Sequence, residues 1–132
     1  MILPIDLLGE ILTHCLAEHP VEACGILAGP PGGVPVRCVR MVNAERSYDA
    51  YAFDPAEQLA VWAELDERGE DPLVFWHSHT RGRAYPSEAD VRYAADTEAY
   101  YLIIATQDPN RPVIRAFRIV DGTVIEEPVT AA

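Results

Sequence analysis

Pro72-Leu73-Val74-Phe75-Trp76-His77-Ser78-His79 is the stretch that decides how this chain folds. Leu73 to Trp76 run without a polar break behind a proline. That is the pattern of a short strand covered on both faces, and so of a sheet flanked by helices. The run ends in His77-Ser78-His79. Residues two apart on a strand point to the same face, with α-carbons about 6.6–6.8 Å apart, so the two imidazoles can close on one metal ion. A lone His-x-His also has a plain reading, with one histidine hydrogen-bonded in the core and the other in a loop.

Working outward, Asp54-Pro55 opens a helix with a favoured cap and a first-position proline; Leu59, Trp62 and Ala63 form its apolar face, and Gly69 lies just past its end. Residues 36–42, after Pro35, read as a strand. So do residues 21–28, between Pro20 and the Gly/Pro-rich turn 29–33. Residues 4–18 are helical, with Leu8, Ile11, Leu12, Cys15 and Leu16 at three- and four-residue spacing and Pro20 as the stop. Downstream, residues 87–96 form a short helix and residues 100–106, 113–120 and 123–128 form strands. The last two strands are joined by a hairpin at Asp121-Gly122. No repeat, low-complexity tract or linker interrupts the order. The expected fold is α/β (α+β), a single mixed β-sheet with packed helices, with residues 1–132 as one domain.

Composition narrows the function. The 132 residues are 49% hydrophobic and 23% charged, ordinary for a globular protein and unlike collagen-like or disordered chains. The longest apolar runs, such as residues 100–105, fall far short of the roughly 18 residues of a membrane span. Ten basic residues, all arginine, face twenty-one acidic ones for a net charge of −11. That disfavours nucleic-acid binding, which relies on basic side chains releasing counterions. Cys15, Cys24 and Cys38 have no Cys-x-x-Cys spacing and read as buried apolar residues in a reducing compartment. The first residues carry no basic stretch, and Asp6 and Glu10 break any apolar one. The expectation is a cytoplasmic protein with neither nucleic acid nor membrane as partner.

Eight positions after His79 comes Ser87-Glu88-Ala89-Asp90. Behind Pro86 this is a helix N-cap signature, and by itself it needs no further role. A cap nevertheless places both side chains at the mouth of the helix. With that helix beside the strand, Asp90 can supply a third ligand. Two imidazoles, one carboxylate and an open position for water make a catalytic zinc site, one ion per chain. Glu22 is the only charge in residues 21–28. It reads either as an edge-strand carboxylate facing solvent or as a general base whose apolar surroundings raise its pKa.

Glu22, His77-x-His79 and Ser87-x-x-Asp90, in this order and spacing, resemble the JAMM (MPN-plus) metalloprotease motif, and residues 22–29 are similar to that family's first-strand segment. The resemblance implies the JAMM/MPN (cytidine-deaminase-like) architecture. It also implies zinc held by His77, His79 and Asp90, Glu22 as general acid/base, and Ser87 hydrogen-bonded to the developing oxyanion or the water. Family members hydrolyse peptide or isopeptide bonds after the C-terminal glycines of ubiquitin-like proteins. Many carry proline after the second histidine; here it is Thr80. With Thr80, Ala84-Tyr85-Pro86-Ser87, Asn43-Ala44, Phe53 and residues 118–122, the chain is similar instead to small bacterial Mec-type proteins. That implies a ubiquitin-like sulfur-carrier protein with a Gly-Gly C-terminus as partner, from which cysteine is released during carrier-dependent cysteine biosynthesis. A broader isopeptidase on ubiquitin-like conjugates and a non-catalytic MPN scaffold are the alternatives. The scaffold is disfavoured because all five motif positions are filled.

Arg81 and Arg83 flank Gly82 between the ligands. One of them is a candidate to meet the carboxylate of the released residue, against a plain reading as solvated loop charges. Cys24, two residues from Glu22, is either a soft ligand or, in the simpler reading, core filler. His14 and His19 have no partner at ligand spacing, and Trp62 and Trp76 read as core. His-Ser-His-Thr also resembles the opening motif of PHP-type phosphoesterases, but four histidines in all are too few for their metal set.

Overall fold

The computed structural model describes residues 1–132. The elements are β1 (Ile2–Leu3), α1 (Ile5–Glu18), β2 (Cys24–Gly29), β3 (Arg37–Met41), α2 (Pro55–Arg68), β4 (Asp71–His79), α3 (Glu88–Tyr93), β5 (Tyr100–Ala105), β6 (Val113–Val120), β7 (Thr123–Glu127) and β8 (Thr130–Ala131). Six strands form one mixed sheet in the order β3-β2-β4-β5-β6-β7, in which only β4 and β5 are parallel. The mixed sheet with helices packed on it is as expected. A second pairing, β1 with β8, clasps the two termini together, and its two-residue strands are too short to leave a periodic signal.

Alternation along β4 divides the core. Val74 and Trp76 point into the cluster roofed by Leu7, Ile11 and Cys15 of α1, while Phe75 packs with Leu65 and Trp62 of α2. The strand is covered on both faces, as its unbroken apolar run requires. Its backbone extends three residues past the apolar run, so both histidines are strand residues. His77 and His79 share the α2 face with Phe75.

Helix boundaries follow their caps. Asp54 accepts from Glu57 N at 2.9 Å, Pro55 opens α2, and Gly69 closes it in the left-handed region at φ 66°, where a side chain would be strained. Trp62 of α2 meets the sheet as expected, but the rest of the expected face is turned outward. Leu59 is 74% exposed and Ala63 is also exposed, whereas Val61, Trp62 and Leu65 meet the sheet. Both stripes are apolar at helical spacing, so periodicity does not choose between them. The third helix stops at Tyr93, three residues short of the expected end. The hairpin is as read, with Asp121 and Gly122 both at positive φ between Val120 and its partner Thr123.

The strand expected over residues 21–28 begins only at Cys24. Glu22 lies ahead of it because its backbone bonds elsewhere: its N–H donates to the Ser47 carbonyl at 2.9 Å and its carbonyl accepts from Asn43 Nδ2 at 2.9 Å. Because β2 runs antiparallel to β4, with Cys24 opposite His77, the approach to β2 reaches the same end of the sheet as the histidines.

Candidate metal centre and active site

The crossover between the parallel strands β4 and β5 carries α3, which brings Asp90 to both histidines at the carboxyl end of β4. Ser87 caps α3 in a reciprocal box: its Oγ accepts from Asp90 N at 3.1 Å, and its own N–H donates to Asp90 Oδ2 at 2.8 Å. That same Oδ2 lies 3.2 Å from His77 Nε2 and 3.0 Å from His79 Nε2, and the two Nε2 atoms are 2.9 Å apart. Three donors on ligand bonds of about 2.0–2.1 Å around a tetrahedral ion would lie about 3.3 Å from one another. The observed triangle fits such an ion with little movement. Among the Cys, His, Asp and Glu side chains, these three are the group that could hold a metal.

Supporting contacts fix the triangle. His79 Nδ1–H donates to the Arg83 carbonyl at 2.9 Å, which leaves Nε2 as the free donor atom in the neutral ring. The ring of Tyr51 stacks on His77, with centroids 4.3 Å apart at 26°. Burial holds the His77 imidazole below its ordinary pKa. For His79 burial acts the same way, but the hydrogen bonds to Asp90 and the Arg83 carbonyl outweigh it. For Asp90 the opposing bonds from both histidines outweigh burial and hold the carboxyl far below the usual range. A carboxylate and neutral imidazoles are the forms a metal ion needs.

Glu22 is 5% exposed, so it is not a solvent-facing edge glutamate. Burial pushes its carboxyl up to about 8; His79 works against that shift, and Asp90 and Asp49 with it. Its segment is tied down on every side. Besides Glu22 O, Asn43 Nδ2 donates to Ala50 O, while Asn43 Oδ1 accepts from Glu45 N and Ala52 N. Ser78 Oγ accepts from Ala23 N at 2.8 Å, and Thr80 Oγ1 is within reach of both Pro20 O and Tyr48 O.

The structure thus brings His77, His79, Asp90 and Ser87 together at one end of the sheet, with Glu22 buried within electrostatic reach of His79 and Asp90. Cys24 is buried beside His77 in register, but its sulfur turns to the Met41 carbonyl at 3.7 Å and is not among the converging donors. Arg81 lies on the Tyr48 ring and Arg83 on the Tyr85 ring, at 4.8 and 4.6 Å. His19 bonds Thr106 Oγ1, and His14 packs edge-on against the fully buried Trp76. Tyr51 is a site residue with no sequence signal. Asn43 is marked in the sequence only by the similarity of Asn43-Ala44 to the Mec-type proteins, and its tie to Glu22 is not visible without coordinates.

This fold and site define a hydrolase of the JAB/MPN class. The chain belongs to the prokaryotic homologs of the JAB domain, whose family pattern matches residues 4–120. It is 46% identical over 130 residues to a CysO-cysteine peptidase of Mycobacterium tuberculosis, covering 98% of this chain and 89% of the relative. It is 30% identical over 112 residues to the desampylase of Haloferax volcanii, covering 80% of each. A solution structure from Desulfitobacterium hafniense superposes with a TM-score of 0.87 at 34% identity, covering 100% of this chain and 93% of that one. A JAB1/MPN domain protein from Archaeoglobus fulgidus, 21% identical over 98% of each chain, shares the fold with a TM-score of 0.62.

Proposed function

We propose that residues 1–132 form one zinc-dependent peptidase domain. It hydrolyses the bond after the C-terminal Gly-Gly of a small ubiquitin-like sulfur carrier, releasing cysteine. The observation that carries this reading is the closure of His77 Nε2, His79 Nε2 and Asp90 Oδ2 to within 3.2 Å of one another, at the end of the sheet where Glu22 is buried. A relative named for CysO-cysteine cleavage, similar along nearly the whole chain, supports the substrate. Three free cysteines support a reducing cytoplasm, and no helix is long and apolar enough to cross a membrane.

His77, His79 and Asp90 hold one zinc ion, which when bound supplies a Lewis acid that acidifies water and polarises the scissile carbonyl. Glu22 takes the proton of the attacking water and returns it to the departing amine. Burial pushes this carboxyl up in the metal-free chain, and a cation beside it would draw it back down toward neutrality, the range that suits this double duty. The Ser87 oxygen accepts from Asp90 N, so its own hydroxyl proton is free to meet the developing oxyanion. Arg81 and Arg83 offer guanidinium groups to the substrate beside the ligands.

A second reading, a broader isopeptidase on ubiquitin-like conjugates, is favoured by the similarity to a desampylase. The test has two steps. Protein purified without chelator or affinity nickel should carry about one zinc per chain, and His77→Ala almost none. A carrier ending in Gly-Gly-Cys should then be cut faster than a carrier joined through Gly-Gly to a lysine side chain. The reverse preference would establish the isopeptidase. No zinc in either protein, even after add-back, would leave only the non-catalytic scaffold.

A further inference from the structure

Arg81 and Arg83 stand four residues or fewer from a ligand, yet they lean in opposite directions. Arg83 lies on Tyr85, and Arg115 approaches the same ring at 5.7 Å, over the β6 side of the sheet. Arg81 lies on Tyr48, which is 45% exposed and belongs to the loop that holds Glu22. The connection to Glu22 is short. Ser47, next to Tyr48, accepts from Glu22 N, and Thr80, next to Arg81, is bonded to the Tyr48 carbonyl. Arg81 makes no hydrogen bond or ion pair within the chain, whereas Arg37, Arg68 and Arg115 are all paired to glutamates. An aromatic seat of this kind holds a guanidinium in place while leaving its N–H edge free.

Direction within the cleft follows from the proton. Glu22 must protonate the leaving nitrogen, so the released residue sits on the Glu22 side, to which the loop of Tyr48, with Arg81 on its ring, is tied. When that residue is the last of a main chain, its carboxylate is separated from the leaving nitrogen only by its α-carbon. On a lysine side chain, the main-chain carboxyl is a whole side chain further away. Arg40 and Arg46 border Glu22 too, but in a hollow of about 320 Å³ shared with His14 and Glu18 of α1, whose lining includes none of His77, His79 and Asp90.

Resting on the peptidase reading above, the geometry points to Arg81, seated on Tyr48, as the subsite for the α-carboxylate of a single released C-terminal residue. Arg81 thereby makes the enzyme favour a main-chain terminus over an isopeptide. Arg83, on the acyl side, has no part in this selection.

The test compares two peptides on the zinc-loaded enzyme, one ending in Gly-Gly-Cys with a free carboxylate and the same peptide as its carboxamide. The wild type should cut the acid at least about tenfold more efficiently, the size expected of one charge-assisted pair. Arg81→Gln should bring the ratio near one, chiefly through KM for the acid. Arg81→Lys should restore part of it, and Arg83→Ala should keep the wild-type ratio whatever its overall rate. Equal cleavage of acid and amide by the wild type, or an unchanged ratio in Arg81→Gln, overturns the subsite and leaves the peptidase standing. Cleavage of neither peptide nor of a carrier ending in Gly-Gly-Cys removes the peptidase reading, and the subsite with it.

Discussion

Ser87 and Asp90 are bonded to each other twice, and the Asp90 oxygen that closes this box is the one that lies against both imidazoles. The helix cap and the metal triangle therefore share an atom. Capping and catalysis make different demands on position 87, and one substitution separates them. Aspartate caps a helix as well as serine does, but it cannot donate to an oxyanion. Ser87→Asp should keep stability within about 0.5 kcal/mol of the wild type and lose about a hundredfold in turnover, whereas Ser87→Ala should also lose about 1 kcal/mol of stability. Denaturant titrations beside kcat measurements distinguish the two variants. Near-wild-type turnover in Ser87→Asp would leave Ser87 a cap and nothing more.

Asn43 connects the general-base segment to its loop through a fully used amide. Asn43→Asp keeps the shape but replaces the NH2, which donates to two carbonyls, with an oxygen that repels both. The expected loss is about 2 kcal/mol or more of stability, together with slower turnover because Glu22 is no longer held. Chemical denaturation and steady-state rates check it; a stable, active Asn43→Asp would show that Glu22 is fixed by Ser47 and Ser78 alone.

A metal held by three chain ligands binds the folded state and not the unfolded chain, so its removal should cost stability. Chelator should lower the melting temperature of the wild type by several degrees and leave that of His77→Ala unchanged. Zinc added back should restore only the wild type. Equal melting temperatures with and without chelator would mean that no ion contributes to the fold.

What the sequence disclosed was set by the range of each signal. Asp54-Pro55 with Gly69, Asp121-Gly122, His77-x-His79 and Ser87-x-x-Asp90 are local, and each forms as read. The rotation of α2 depends on which of two apolar stripes meets Phe75 and Ile26, a tertiary choice that left Leu59 outside. Glu22 stood out as a lone charge. What buries it is a long-range set of backbone bonds from Asn43, Ser47 and Ser78, and composition carries no trace of those. Tyr51 is equally silent, because an aromatic residue in a polar loop announces nothing until it is found stacked on a ligand.

The buried Glu22 carboxyl makes the stability of the metal-free protein depend on pH in a defined direction. Its pKa rises from 4.5 in the unfolded chain to about 8 in the fold, so the folded state holds the proton more tightly. The group's contribution is fully present below the unfolded value and is lost as pH rises through the folded one. Asp90 acts oppositely, because its depressed pKa gives stability that is lost only on the acid side, as pH falls below the ordinary carboxylate range. His77 is shifted below and His79 above the ordinary imidazole value, and both are present in both proteins when Glu22→Gln is compared with the wild type. With chelator present, the wild type should therefore lose stability relative to Glu22→Gln as pH is raised from about 5 to about 8. Zinc should reduce the difference, since a cation beside the carboxyl favours its charged form. Unfolding curves across that range decide the matter. Parallel stabilities of the two proteins in chelator would mean that Glu22 is hydrated and titrates normally, and with that its role as the proton carrier would lose its physical basis.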